Sequence, residues 1–153
     1  MTFFMEKTMK IRRFFLAGVI YLLTVLVTAC AATSQGQPPA QNNALADTEW
    51  ALVSLNGDTP IGDRAITLRF GETSIEGSGG CNTYGGSYTV SEDSLHLTDV
   101  YWTEMACMEP EGIMEQEQAY FQALMATARY QTDGDRLELY DEAGTQILTF
   151  ILP

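Results

Sequence analysis

The chain has 153 residues, of which 46% are hydrophobic, and is long enough for one domain with a modest core. It carries 20 acidic against 8 basic residues, a formal net charge of −12 at pH 7. Half of the basic residues lie within the first thirteen positions, so the remainder is even more acidic. The absence of a basic surface argues against nucleic acid as a partner. We interpret the charge as serving solubility rather than a dedicated cation site.

Residues 1–29 are predicted to be a signal peptide. Basic residues at positions 7–13 precede an apolar run at 14–27, which is shorter than the about 20 residues of a membrane-spanning helix. The run leads into Leu26-Val-Thr-Ala-Cys30, which resembles the lipobox of bacterial lipoproteins. In that motif the chain is cleaved before a cysteine that carries lipid. The alternative is an uncleaved N-terminal anchor in which Cys30 is incidental.

These features predict an exported protein that is anchored to a bacterial membrane through lipid on Cys30. The membrane would be the outer one if the host has such a membrane. Residues 31–46 are mostly small and polar and carry no charge, which is typical of a disordered tether. We therefore predict a lipidated tether over residues 30–46 and a folded domain over residues 47–153.

Two cysteines remain once Cys30 is assigned to the lipid. Cys81 lies in a segment at 77–88 that contains five glycines, which indicates a tightly turned backbone, and Cys107 follows downstream. In an oxidising compartment such a pair favours a structural disulfide, which would contribute about 3–4 kcal/mol on the chain-entropy model. A metal site is one alternative, although a single histidine does not complete a usual zinc set. A redox pair is the other, although a Cys-x-x-Cys motif is missing.

Short segments of alternating hydrophobicity predict a β-rich domain. In the fifth of them Leu95 and Leu97 share one face while Val100 and Trp102 belong to the other, so we predict a β-bulge near residues 98–99. His96 then lies opposite the leucines; we interpret it as an exposed or edge residue, with a catalytic base as the alternative. The predicted strands are 50–55, 65–70, 73–77, 87–91, 95–103, 129–132, 136–140 and 146–152.

One helix is predicted after Cys107, with Pro110 in its first turn. Its apolar stripe places Glu117 in the middle, and a carboxylate there must be paired, hydrogen-bonded or functional. We predict a buried polar clamp to backbone N–H groups of the glycine-rich segment or to an arginine. The alternatives are partial exposure and a catalytic acid. The stripe consists of Ile113, Met114, Tyr120, Phe121, Leu124, Met125 and Ala128.

A set of residues spread over nearly all of 45–152 forms one pattern: Leu45 to Leu52 with Trp50, Phe70, Gly77, Gly80, Cys81, Asn82, Tyr84, Thr103, Ala106, Cys107, Glu117, Gln118, Phe121, Leu124, Tyr130, Leu137, Glu138, Leu139, Leu148, Thr149 and Phe150. This pattern resembles that of the META domain family of HslJ-like proteins. The resemblance implies an α+β fold: a curved antiparallel β-sheet, barrel-like where it closes, with one packed α-helix. It also implies an envelope or secreted protein linked to stress tolerance, drug resistance or secretion, with no established enzymatic activity.

We predict a non-catalytic, lipid-anchored envelope protein that binds another protein or supports stress tolerance. The chain has no Gly-x-Ser-x-Gly elbow, zinc motif or phosphate loop, and the turn at 133–135 lacks the further ligands of a calcium loop. The prediction therefore includes no cofactor and no metal.

The alternative function is a small-ligand carrier that uses the concave face of the sheet. Tyr84, Tyr101 and Trp102 are the candidate lining residues, unless they pack in the core or at its rim. An enzyme built around Glu117, His96 or Asp99 is the third hypothesis.

Overall fold

The computed structural model describes residues 43–153. The predicted signal peptide, Cys30 and most of the predicted tether lie outside the described residues. The elements in chain order are β1 (Thr48–Leu55), β2 (Thr67–Phe70), β3 (Ser74–Ser78), β4 (Thr83–Ser91), β5 (Ser94–Trp102), α1 (Ile113–Met125), β6 (Arg129–Asp133), β7 (Arg136–Tyr140) and β8 (Gln146–Ile151).

The eight strands form an antiparallel sheet that closes into a ring. Each strand pairs with the next in sequence, and β8 pairs with β1. The seam between β5 and β6 is the weakest link, because its register contains the single pair Ser94 and Arg129. This arrangement confirms the predicted α+β fold, a curved antiparallel sheet with one packed helix.

The core fills the inside of the ring. On β2 the predicted alternation is confirmed, since Leu68 and Phe70 are fully buried while Arg69 is exposed and forms an ion pair with Glu76. Each such large apolar side chain contributes about 1.5–3 kcal/mol when it is fully buried. The helix adds Tyr120, Phe121, Ala123 and Leu124 to the same cluster of buried side chains.

Two of the three register shifts in the sheet explain where the alternation of buried and exposed side chains breaks on β5 and on β1. On β5 the register against β4 shifts between Thr98 and Tyr101, and Asp99 has a φ of 53°, which confirms the predicted bulge. On β1 the register against β8 shifts between Leu52 and Ser54. This shift explains why Trp50, Leu52 and Leu55 are all buried although they do not share one alternating phase: the buried face of β1 changes phase along the strand.

Helix α1 differs from the prediction at both ends. It begins at Ile113, after Gly112 with a φ of 87°, so Pro110 precedes the helix instead of lying in its first turn. Ala128 lies beyond the end of the helix, and Met125, assigned to the apolar stripe, is 51% exposed. Within residues 43–153 the structure contains no helix with the length and apolar character needed to cross a membrane.

The domain begins before the predicted boundary at residue 47. Leu45 is fully buried in the core, and the side-chain amide of Asn43 donates a hydrogen bond to the Tyr88 hydroxyl at 2.6 Å. The prediction of a tether as far as residue 46 is therefore wrong for residues 43–46. Composition hid this boundary, because one leucine among small polar residues gives no periodic signal.

Candidate binding site at the disulfide corner

A disulfide joins the β3–β4 turn to the segment that precedes α1. Cys81 and Cys107 are bonded, with their Cα atoms 6.0 Å apart, although they are separated by 26 positions in sequence. The predicted disulfide is therefore confirmed, and both sulfur atoms are removed from metal or thiol chemistry while the bond is intact. It ties the start of the helical segment to the sheet.

The glycines of the turn allow α1 to approach closely. A Cβ atom on Gly79 would lie 2.7 Å from Oε1 of Glu117 and 2.8 Å from a ring carbon of Phe121. Gly80 adopts a φ of 107°, which disfavours other residues. The turn is thus shaped both by its backbone conformation and by the helix that packs on it.

Glu117 connects α1 to this turn. Its side chain is buried, and Oε1 accepts hydrogen bonds from the backbone N–H groups of Cys81 at 3.1 Å and Asn82 at 2.6 Å. Oε2 accepts a third from the side-chain amide of Asn82 at 2.6 Å. The structure thus places Glu117 in a clamp on backbone N–H groups rather than in a pair with an arginine.

Asn82 continues this network on the other side of the turn. Its amide nitrogen also donates to the carbonyl oxygen of Met105 at 3.2 Å. Its Oδ1 accepts from the Thr103 hydroxyl at 2.8 Å and from the Met105 N–H at 2.7 Å. The buried side chain of Asn82 therefore fixes residues 103–105 to the turn, and its amide N–H groups and its oxygen are all engaged in hydrogen bonds. In the sequence, Asn82 stands out only through the family resemblance and through its position after a cysteine in a glycine-rich turn.

A groove lies beside this corner, between residues 102–106 and α1. It has a volume of about 580 Å³, and we call it the Trp102 groove. Trp102 is 40% exposed, and its ring stacks on Phe121 with the ring centres 4.7 Å apart and the planes inclined by 14°. The residues that line the groove are Asn82, Trp102, Thr103, Glu104, Met105, Ala106, Met114, Glu115, Glu117, Gln118, Phe121, Gln122 and Met125.

The Trp102 groove combines apolar and acidic side chains. Met105 and Met125 are each about half exposed, at 52% and 51%. Glu104 and Glu115 are exposed, and the lining contains no lysine or arginine. Large, partly exposed apolar side chains beside acidic groups form a surface suited to binding rather than to covalent chemistry.

A second depression, of about 760 Å³, lies on another side of the disulfide. It is lined by residues 62–64, Gly80, residues 107–110 and Ile113. Met108 is its exposed large apolar residue, and no aromatic side chain lines it. No group of histidine, cysteine, aspartate or glutamate side chains within residues 43–153 is arranged to hold a metal ion.

Of the other predicted binding residues, Tyr84 is part of the core. Its hydroxyl donates to the carbonyl oxygen of Thr67 at 2.8 Å and lies 2.7 Å from the hydroxyl of Tyr120. Burial raises the pKa of Tyr84 and of Tyr120 well above that of a free tyrosine. Tyr84 is therefore buried rather than exposed, because its position on β4 points its ring to the inside of the sheet. A depression of about 520 Å³ is nevertheless lined by all three predicted aromatic residues, Tyr84, Tyr101 and Trp102.

Tyr101 is the most exposed of the three predicted aromatic residues, at 69%. Its ring lies over Gly85, where a Cβ atom would be 2.6 Å from the tyrosine hydroxyl oxygen. His96 is exposed and pairs with Thr89 on β4, and Asp99 is exposed at the bulge. Neither His96 nor Asp99 is a hydrogen-bond partner of Glu117, so the three candidate catalytic residues share no hydrogen-bonded network.

Comparison with known proteins identifies the family. Two proteins with structures determined by NMR are similar to this chain: one is 27% identical with a TM-score of 0.59, and one from Burkholderia xenovorans is 29% identical with a TM-score of 0.57. The alignments cover 71% and 72% of this chain, and 92% and 84% of the respective relatives.

A crystal structure of a DUF4847 family protein from Bacteroides vulgatus shares the fold, with 16% identity, a TM-score of 0.51, and coverage of 70% of this chain and 93% of that protein. A search of curated protein sequences gives no match. Residues 43–152 match the META domain, which is nearly the whole of the folded region. The chain therefore belongs to the META domain family.

Proposed function

We propose that this protein is an exported, lipid-anchored and non-catalytic component of the bacterial envelope that acts by binding another protein. The observation that carries the proposal is the Trp102 groove. It presents an exposed tryptophan stacked on Phe121. Tryptophan is the side chain most often found at the energetic centre of protein interfaces.

The framework around the Trp102 groove supports a binding role. The wall that carries Trp102 continues into residues 103–105, which Asn82 holds by hydrogen bonds, and the other wall is held by Glu117. The disulfide adds a covalent link between the same parts of the chain. A preformed groove loses little conformational entropy when a partner binds, which favours affinity.

The anchor is supported by the lipobox ending at Cys30. The acidic residues of 43–153 far outnumber its four arginines, which disfavours attraction of the domain itself to anionic lipid headgroups, so the lipid would have to hold the protein at the membrane. Metabolic labelling with a fatty-acid analogue tests this part. Label is expected in the full chain and should be lost in Cys30→Ser. Labelling that survives this substitution would contradict the proposed site of lipidation.

The alternative of a ligand carrier receives less support. A carrier of the predicted kind needs space on the concave face of the sheet, and that face is filled by a continuous cluster of side chains from the strands and α1. The two depressions beside the disulfide lie on the outside of the ring. The geometry therefore favours a protein partner over a small ligand enclosed by the sheet.

Site-specific photo-crosslinking in living cells tests the binding proposal. A photoreactive amino acid replaces Gln122, an exposed residue that lines the Trp102 groove, and in a matched control it replaces Glu142, an exposed residue in the turn before β8. We expect a discrete crosslinked protein from position 122 that is absent from position 142 and is lost when Trp102→Ala is added. Equal products from both positions, or none from position 122, would contradict the proposal.

A further inference from the structure

We infer that the Trp102 groove binds a segment of the partner protein in which a large apolar side chain is flanked by lysine or arginine. This inference rests on the proposed binding function and narrows it to a class of partner sequence. Three features of the groove carry it: its apolar surface, its charge and the backbone of its wall.

The apolar surface has the composition of an adaptable side-chain pocket. Trp102 is held in place by stacking on Phe121, so the partner meets a preformed aromatic surface. Met105, Met114 and Met125 lie around it. Methionine side chains are flexible and polarizable, and they adapt to apolar groups of different shape. The pocket therefore suits a leucine, methionine or aromatic side chain of a partner.

The charge around this pocket is of one sign. Glu104 and Glu115 line the groove, one on each wall, and no lysine or arginine lines it. Glu117 is buried and its oxygens accept three hydrogen bonds, so Glu104 and Glu115 are the carboxylates of the lining that a partner can pair with directly. Basic groups on both sides of the apolar side chain would complement them, which gives specificity and faster association.

A second copy of this chain is a poor match for such a site. Residues 43–153 contain four basic residues, all arginines, and two of these, Arg69 and Arg136, already form ion pairs with Glu76 and Glu138. The domain surface is strongly acidic, so two copies repel each other at this groove.

The wall of the groove also suits a peptide. Along residues 103–107 alternate residues use their N–H groups within the protein: Thr103 donates to the carbonyl of Thr83, and Met105 donates to Asn82. Within residues 43–153 the backbone groups of Glu104 and Ala106 have no hydrogen-bond partner. A partner segment in extended conformation can bond to these groups, as in the addition of a β-strand to an exposed edge.

Selection from a peptide library tests the inference. Random peptides of about a dozen residues, displayed on phage, are selected against the full chain in lipid nanodiscs with its disulfide intact. We expect the enriched peptides to share an apolar residue flanked by lysine or arginine. Enrichment of acidic or uncharged sequences, or no enrichment, would overturn the inference.

Two variants locate the binding on the groove. Trp102→Ala removes the aromatic surface and is expected to weaken the best peptide by at least tenfold, the order of loss seen at interface hot spots. The double variant Glu104→Gln and Glu115→Gln keeps the shape of the groove; it should weaken the peptide several-fold at low salt and reduce the salt dependence. The control, Glu92→Gln with Glu142→Gln, removes two exposed charges from turns outside the groove and should change neither.

The outcomes separate this inference from the proposed function. Crosslinking of a partner at position 122 together with selected peptides that lack basic residues would overturn the partner class and leave the binding function in place. Failure of both experiments would remove the proposed function. Equal weakening by the groove variant and by the control would show general electrostatic attraction and would overturn the assignment to the groove. Because the glutamine variants alter no core residue, a melting curve for each confirms that the fold is intact.

Discussion

Replacing Glu117 is the most direct way to test the physical reasoning about this domain. In Glu117→Leu the carboxylate is lost, and the N–H groups of Cys81 and Asn82 and the Asn82 side-chain amide lose their acceptor. A buried donor without a partner costs about 1–3 kcal/mol. Since the three donors share one site and their costs do not simply add, we expect a loss of about 3–6 kcal/mol in the free energy of unfolding.

Glu117→Gln should be tolerated better, although not without cost. An amide oxygen in the place of Oε1 still accepts from the two backbone N–H groups, but the amide nitrogen then faces the donor nitrogen of Asn82. Asn82 cannot rotate to offer its oxygen, because that oxygen already accepts from Thr103 and Met105. Losing one charge-assisted hydrogen bond costs about 1.5–3 kcal/mol, so the free energy of unfolding of Glu117→Gln should lie between those of the native protein and Glu117→Leu.

Thermal melting of the full chain, with the disulfide intact, measures both effects. In a domain of this size 1 kcal/mol corresponds to about 4–8 °C, so Glu117→Leu should melt more than about 10 °C below the native protein and clearly below Glu117→Gln. Glu115→Leu and Glu115→Gln serve as controls, since Glu115 is exposed on the same helix and its replacement should stay within about 0.5 kcal/mol. Equal melting temperatures for the two Glu117 variants would refute the proposed clamp.

Further predictions concern the disulfide, the turn and the buried tyrosines. Cys107→Ser should lower the free energy of unfolding by about 3–4 kcal/mol in denaturant titrations, whereas Cys30→Ser should leave it unchanged. A native protein whose free energy of unfolding stays the same when reductant is added would contradict this prediction. Gly79→Ala should lower the free energy of unfolding by about 1–3 kcal/mol, because its Cβ would overlap Glu117 and Phe121; an unchanged melting temperature would show that α1 can shift freely. Burial raises the pKa of Tyr84 and Tyr120, so the unfolded chain ionises at these residues at a lower pH than the folded protein does. Their contribution to the free energy of unfolding is therefore complete below about pH 10 and is lost as the pH rises further. Melting temperatures between about pH 9 and 11 should therefore fall, less steeply in Tyr120→Phe, and an identical slope in this variant would contradict the assignment.

The parts of the structure that the sequence predicted correctly are those with a local periodic signal. On β2 the alternation of Leu68, Arg69 and Phe70 determines which face is buried, since neighbouring side chains in a strand point to opposite faces. The break in phase between Leu97 and Val100 indicated a bulge, because only an extra residue reverses the alternation within a strand. Glu117 stood out for the same reason: helical spacing placed a carboxylate in an apolar stripe.

The features that were missed depend on contacts between distant parts of the chain. Tyr84 lies in a glycine-rich segment with no periodicity of its own, so the sequence does not show which face of the sheet its side chain occupies. That face depends on the contact between its hydroxyl and the hydroxyl of Tyr120. The role of Asn82 depends on residues 103–105, more than 20 positions away. The Trp102 groove is the extreme case, since its two walls come from residues 102–106 and from α1, and only the closed fold brings Trp102 onto Phe121.

The contacts around the Cys81–Cys107 disulfide explain how this small domain can combine a weak pairing of β5 with β6 and a rigid Trp102 groove. Strand β5 is joined to β6 near its first residue by the single pair Ser94 and Arg129, yet its last residue, Trp102, forms part of the groove. Residues that follow Trp102 are held by Asn82, by Glu117 through Asn82, and by the disulfide, none of which involves β6. Local opening at the seam would therefore leave the groove in place, because the two ends of β5 are stabilised by independent sets of contacts. The glycines, the buried carboxylate and the two cysteines are best understood together, as the means by which one end of a strand is fixed where a partner can reach it.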